Sequence, residues 1–361
     1  MPDELLNDPA LASTLRRLVV EPRVAPGGTA AVAARSWNGQ WVFSTGAAGQ
    51  LEYEEYAPPQ RVRPVNPDSL YDLASLTKPV TALTCARLVG QGSLSFTTPL
   101  GAILAEARGT PSENARVEDL LSHRAGLLPH VEFFAPLRQL QPFDLNRALV
   151  MAASARRDEC TGDIPAQGFA PLYSDLGYLL LGEALQRLTN KPLDELMNEQ
   201  VNSPLRIELR SARQWAAHGD FLTRVAPTEI VSWRGGLICG QVHDENAWAF
   251  AGSGSAGNAG LFSQATDVAK LGMALLDALD GKRSEFIEPT LLSTLVAARP
   301  GGTLRAGFDG KSTVGSSAGQ LFGPGTFGHL GFTGTSLWCD PDAHIVAAVL
   351  TNRVHPTRNN T

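Results

Sequence analysis

The chain has 361 residues, 43% of them apolar and 18% charged, with a formal net charge of −6. That length and apolar content suit one large or two interleaved globular units and exclude a disordered chain. A net acidic chain offers no basic surface for a polyphosphate backbone, which argues against a nucleic-acid partner.

The first residues, Met1 to Leu6, carry no basic stretch followed by an apolar core. The expectation is therefore a cytoplasmic protein, or a periplasmic or secreted one if a leader has been trimmed away. No apolar run reaches the ~18 residues of a membrane span. Cys85, Cys160, Cys239 and Cys339 stand far apart with no CxxC pair, which suits reduced thiols and speaks against a zinc knuckle or a disulfide scaffold. No metal and no cofactor are expected, and composition carries no signal of oligomeric state.

Taken in chain order, residues 5–20 have apolar positions at helical spacing, which predicts a helix ending before Pro22 and the Pro26-Gly27-Gly28 break. Residues 29–37 and 40–45 are apolar runs joined by Asn38-Gly39, a dipeptide that suits a type I′ turn and predicts a β-hairpin. Helical periodicity follows at 79–89, 175–188, 192–200 and 267–279. Residues 335–339 and 345–351 flank Asp340-Pro341-Asp342-Ala343 and predict a second hairpin. Glycine- and serine-rich stretches at 252–260 and 310–319 look the most flexible, though short and internal to the fold. Strands at both ends with helices between them predict an α+β architecture. One antiparallel sheet would draw on about 1–70 and 230–361, with a mostly helical region over about 80–225.

Chemistry concentrates in three places. In Ala74-Ser75-Leu76-Thr77-Lys78-Pro79, a helix starting near Ser75 puts Lys78 on the same face, so its ammonium can reach the Ser75 hydroxyl. Pro79 is tolerated in a first turn, and a helix start favours a developing anion. A serine needs such a partner to act as a nucleophile. Alone, SxxK is also what a solvated helix turn looks like, but the residues after Lys78 are apolar, which argues for an internal pair. Next comes Tyr173, just before a helix capped by Ser174 or Asp175. By itself it reads as a core tyrosine, yet a phenol held near a charged lysine can have its pKa lowered enough to serve as a base. The last, Gly328-His329-Leu330-Gly331-Phe332-Thr333-Gly334-Thr335, leads into a predicted strand whose glycines permit close backbone approach. An N–H from this edge, with that of Ser75, would suit a developing oxyanion. His329 would supply a hydrogen bond or partial positive charge.

In this order, the three resemble the SxxK, YxN and KTG-type boxes of class C β-lactamases, DD-peptidases and the related serine esterases and D-aminopeptidases. Leu120 to Leu127 looks like the LLxHxSGL segment of these enzymes, with His123 read as structural, and Ala259 to Ser263 like their AGGLxST stretch. The resemblance implies a β-lactamase/transpeptidase-like fold with a cleft between sheet and helices. It also implies an acyl-enzyme on Ser75, proton transfer shared by Lys78 and Tyr173, and the Phe332 N–H as second oxyanion donor. Asp175, His329, Gly331 and Thr333 would face the substrate. Gly240 to Ala247 resembles the GxVHDxNA stretch of the family's N-acetylmuramoyl-L-alanine amidases, which adds His243 and Asn246 near the substrate. A merely hydrogen-bonded loop is an equal reading of that stretch, and His243 with Asp244 lacks further ligands for a metal.

Two departures shape the functional expectation. Asp175 stands where the family usually has Asn, and a carboxylate there should hold Lys78 charged and favour Tyr173 as proton acceptor. His329 stands where β-lactamases usually have Lys, which weakens a carboxylate clamp and counts against penicillin turnover. The expected function is a serine hydrolase of small esters or amides. A muropeptide amidase, a true β-lactamase and a catalytically silent ligand-binding relative are the alternatives. Gly315 to Gly319 matches the GxSxG elbow of α/β-hydrolases, but lacks the flanking strand and helix that motif requires.

Overall fold

A computed structural model describes residues 5–56 and 63–360. Its main sheet contains strands β1 (Leu5–Asn7), β2 (Gly27–Arg35), β3 (Trp41–Gly49), β4 (Asp309–Gly310), β5 (Phe327–Gly331), β6 (Thr335–Asp340) and β7 (Ile345–Thr351). Their spatial order is β1-β3-β2-β7-β6-β5-β4. The two ends of the chain thus meet at the β2–β7 pair, with Ala31 opposite Ala348. Both predicted hairpins are present.

Alternation along β2 explains how the sheet is covered on both faces. Ala31 and Ala33 turn into the large core, whereas Ala30 joins Leu15 and Ala48 in a smaller cluster on the other side. The short side chains of this strand let helices approach closely. Helix α4 (Ala265–Leu279) lies on the large-core face, and a Cβ at its Gly272 would stand only 2.5 Å from Val346 Cγ1. Helix α1 (Pro9–Leu15) covers the opposite face.

Three expectations need correction. Residues 5–20 do not form one helix: Leu5–Asn7 pairs in parallel with β3, and Asp8 then caps α1 by accepting the Ala10 N–H at 2.8 Å. The sheet is therefore mixed rather than antiparallel throughout. The β2–β3 turn is not type I′, because of its residues only Gly39 has positive φ, at 82°. The Gly39 N–H donates to Ser36 O and the Ser36 N–H to Gln40 O, a three-residue loop with the left-handed burden on glycine alone. Residues 254–260 are buried, not flexible.

Helix α2 (Thr77–Gly90) is the central rod, with every residue from Thr77 to Ala86 buried. Its buried threonines are satisfied locally: Thr84 Oγ1 donates to Val80 O at 2.8 Å, and Thr81 Oγ1 to Gly257 O at 2.7 Å. Helix α3 (Asp175–Thr189) packs beside it. Between α3 and the 254–260 segment the backbones touch. A Cβ at Gly257 would fall 1.9 Å from Tyr178 O, a separation no side chain tolerates. Gly257→Ala should cost about 1–3 kcal/mol of stability, measured as a shift in urea midpoint. An unchanged midpoint would show that the contact relaxes freely.

Candidate functional site

A short strand, Tyr71–Asp72, pairs with Leu261–Ser263 and delivers the chain into a 3-10 turn, Ala74–Leu76, immediately before α2. Ser75 sits on this turn, and Ala74 adopts a left-handed φ of 48°. For a residue with a Cβ that conformation is strained and persists only where surroundings enforce it. Asp72 supplies the enforcement. Its Oδ1 accepts the Ala74 N–H at 2.8 Å, its Oδ2 the His243 N–H at 2.7 Å, and its carbonyl the Thr333 hydroxyl at 2.7 Å. Asp72 therefore ties its own turn to the two distant segments that carry His243 and Thr333, the first through its carboxylate and the second through its main-chain carbonyl. Burial pushes its pKa up to about 6 against the pull of those N–H donors.

Around Ser75 the geometry is tight. Lys78 Nζ donates to Ser75 Oγ at 2.8 Å, and Tyr173 Oη donates to the same oxygen at 2.9 Å. Lys78 is fully buried, with Nζ 2.7 Å from Asp175 Oδ1 and 3.3 Å from the Asn258 carbonyl. Asp175 opens α3, where a helix N-terminus favours a carboxylate. Burial alone would lower the Lys78 pKa, but the charge of Asp175 and the side-chain contacts with Asp175 and Tyr173 overcome it and the net shift is upward. The ion pair expected from the Asp175 departure is thus present, and Lys78 is held as ammonium.

Tyr173 departs from expectation. Its pKa is raised, not lowered, because burial outweighs the nearby ammonium. The ring stacks on His123 with centroids 4.7 Å apart. His123 Nδ1 lies 3.0 Å from the Ser174 N–H nitrogen and 3.1 Å from the Ser174 carbonyl oxygen, which fixes the ring against the start of α3. His123 thus orients Tyr173, in keeping with its reading as structural. His329 also departs. Burial first, then Lys78, lowers its pKa to about 4, and its Nδ1 lies 2.7 Å from the Leu330 carbonyl. It is a neutral imidazole and brings no positive charge.

A cavity of about 580 Å³ opens over these groups, lined by Ser75, Tyr173, Asp175, His243, His329, Phe332 and Arg358 among others. Among the described residues neither the Ser75 nor the Phe332 N–H donates to a main-chain carbonyl, and both residues line the cavity. Two residues expected beside the substrate are occupied otherwise. Thr333 is buried and spends its hydroxyl on Asp72. Asn246 is buried too, its Oδ1 accepting the Phe133 and Phe134 N–H groups at 3.0 and 3.3 Å and its Nδ2 donating to Val131 O at 2.8 Å. It pins the loop at the cavity rim instead of facing the cavity. Gly331 is a spacer: a Cβ there would meet Thr335 Oγ1 at 2.0 Å and Leu73 O at 2.3 Å. His243 does line the cavity.

Sequence reasoning missed Asp72 and Asn258. Asp72 lies three residues before Ser75, but a buried carboxylate serving distant N–H donors leaves no local pattern. Asn258 acts through its carbonyl, which is invisible in residue identity. The GxSxG-like Ser317 is exposed in a turn. Among the described residues no group of His, Cys, Asp and Glu could hold a metal, and no helix is long and apolar enough to cross a membrane.

The family described as Beta-lactamase matches residues 15–361, and the chain belongs to it. An N-acetylmuramyl-L-alanine amidase of Bacillus subtilis (strain 168) is 28% identical over 93% of this chain and 80% of its own length. A penicillin-binding protein homologue from Caulobacter crescentus superposes with a TM-score of 0.67 at 22% identity, covering 96% of this chain and 92% of that one. A class C β-lactamase from Rhodobacter sphaeroides gives 0.67 at 19%, covering 96% and 95%. The expected β-lactamase/transpeptidase-like α+β fold is the one found.

Asp72→Asn replaces an acceptor-only group by one that presents N–H to an existing donor. It should cost about 1–3 kcal/mol in thermal or urea unfolding and slow fluorophosphonate labelling of Ser75. Unchanged labelling would separate Asp72 from the Ser75 turn.

Proposed function

We propose that the protein is a serine hydrolase that cleaves small esters or amides through an acyl-enzyme on Ser75. The observation that carries this reading is one oxygen, Ser75 Oγ, on the wall of a cavity and within 2.8 Å of Lys78 Nζ and 2.9 Å of Tyr173 Oη. Attack forms the Ser75 Oγ–carbonyl carbon bond while the hydroxyl proton passes to the Lys78–Tyr173 pair. The N–H groups of Ser75 and Phe332 take the oxyanion. The leaving alkoxide or amine recovers the proton, and water repeats the sequence to release the acid.

At rest this pair holds both its protons, since Lys78 and Tyr173 are each shifted upward. One proton must leave before Ser75 can transfer its own. The pair titrates as a unit, so kcat/KM for p-nitrophenyl butyrate should rise by about tenfold per pH unit on the alkaline side of neutrality. Asp175→Asn removes the charge that sustains Lys78 as ammonium and leaves the downward push of burial. The alkaline limb should then move to lower pH by about one unit or more. A limb that stays in place would exclude Asp175 as its cause.

Ser75→Ala should abolish both butyrate hydrolysis and covalent labelling by a fluorophosphonate, read by mass spectrometry. A folded wild-type protein that is neither labelled nor active would mark a silent ligand-binding relative. Loss of turnover in Ser317→Ala but not in Ser75→Ala would overturn the assignment.

Nitrocefin carries a carboxylate, and neutral His329 offers it no cationic clamp. It should be turned over slowly or not at all; rapid hydrolysis would refute that role for His329. Amidase action on peptidoglycan fragments is the second reading, favoured by the name of the B. subtilis relative and by the cavity position of His243 in the segment that resembles those amidases. Release of peptide from a muramoyl-L-alanine peptide would favour it over ester hydrolysis.

A further inference from the structure

Asp244 is half-buried and lines the cavity over Ser75. Its Oδ1 accepts the Ala247 N–H at 2.6 Å, which caps the helix Glu245–Ala251, and also accepts Asn258 Nδ2 at 3.3 Å. Among the described residues its Oδ2 accepts no hydrogen bond, and no cation pairs with this carboxylate. Three other carboxylates of the same wall each have one: Asp175 has Lys78, Glu132 has Arg138 and Glu245 has Arg358. A helix cap needs an acceptor oxygen, which Asn or Ser supplies as well as Asp does. The cap therefore does not require the charge.

Asn258 gives that charge a reach. It is buried and bound at both ends, its side-chain amide donating to Asp244 and its carbonyl accepting Lys78 Nζ at 3.3 Å. A second carboxylate thus stands one bridging residue away from the buried ammonium. We infer that Asp244 is a positioning residue that, by its charge and through Asn258, serves after Asp175 as a second counter-charge holding Lys78 as ammonium. This rests on the serine-hydrolase reading above, because the proton so held belongs to the pair that must lose one before Ser75 reacts. The attraction is mutual. Lys78 pulls the Asp244 pKa down, while burial first and then the charge of Asp175 push it up, and the net shift is upward. Two carboxylates therefore share one ammonium. Asp72 and Arg234 also face Asp244, but Arg234 gives its guanidinium to the Val242 and His243 carbonyls at 2.9 and 3.1 Å. Arg358 on the same wall is held by Glu229 and Glu245. Around Lys78 itself, Tyr173 donates to Ser75, and His123 and His329 are neutral.

The test is the pH profile of kcat/KM for p-nitrophenyl butyrate. Asp244→Asn keeps an oxygen for the cap and for Asn258 but loses the charge. Its alkaline limb should move to lower pH by about half a unit. On a tenfold-per-unit slope that raises kcat/KM at about pH 8 roughly threefold. Asp244→Ser, also a cap, should move the limb the same way, and Asp244→Glu, which keeps the charge, should restore it. A limb unmoved in folded Asp244→Asn overturns the inference, since a purely structural cap predicts that result. A limb that moves as far in Asp244→Glu overturns it too, by tracing the effect to shape. Should neither neutral variant fold, wild-type protein carrying carbon-13 at its aspartate carboxyls decides by NMR. At least two carboxyl signals should step at the pH of the limb, because Asp175 and Asp244 both sense the departing proton; a step in one alone overturns the inference. Fluorophosphonate labelling of wild-type Ser75 keeps the two proposals apart. Labelling with an unmoved limb in Asp244→Asn sinks only the role of Asp244, whereas no labelling and no butyrate hydrolysis sinks the hydrolase reading itself.

Discussion

A single positive charge sealed away from water constrains the centre of this protein. Lys78 is fully buried on α2, and an uncompensated ammonium there would cost several kcal/mol. Compensation comes from three directions: Asp175 at the start of α3, the Asn258 carbonyl, and Ser75 Oγ one turn back. Each contact demands a particular approach of backbone. The Asn258 carbonyl reaches Lys78 from a segment that passes against α3 so closely that Gly257 has no room for a Cβ. Asp175 reaches it because α3 begins where it does. Core packing and site geometry are therefore parts of one electrostatic solution.

That solution has a chemical consequence. The carboxylate that makes buried Lys78 tolerable also holds its proton firmly, and burial does the same for Tyr173. Stability of the resting site is set against readiness of the proton acceptor. Asp72 completes the arrangement from the other side. By holding the Ala74, His243 and Thr333 groups at once, it fixes the strained turn of Ser75 relative to the edge that carries Phe332. Ser75 and Phe332, more than 250 residues apart in sequence, thereby line one cavity.

Much of the fold was legible because period and turn chemistry are local. Asn38-Gly39 marked a hairpin, and the 3.6-residue pattern marked α2, α3 and α4. The errors share a cause. The stretch 5–20 has a helical pattern throughout, but its first residues find a partner in β3 that outcompetes the local preference. The 252–260 glycines suggested flexibility, whereas most of them serve close approach inside the core. Thr333 and Asn246 sit in segments that do reach the cavity, yet each turns its polar atoms to the protein, which residue type does not disclose.

By itself, the sequence determined the Ser75–Lys78 contact, since three residues along a helical turn bring the two side chains to one face whatever surrounds them. It also determined that a carboxylate, not an amide, would stand at position 175. Tertiary structure alone decided that Tyr173, 98 residues away, donates to Ser75 with its pKa raised, and that His243 and His329 stay neutral. The physical reason is that charge state depends on desolvation and on partners across space, and neither is a property of neighbouring residues in the chain.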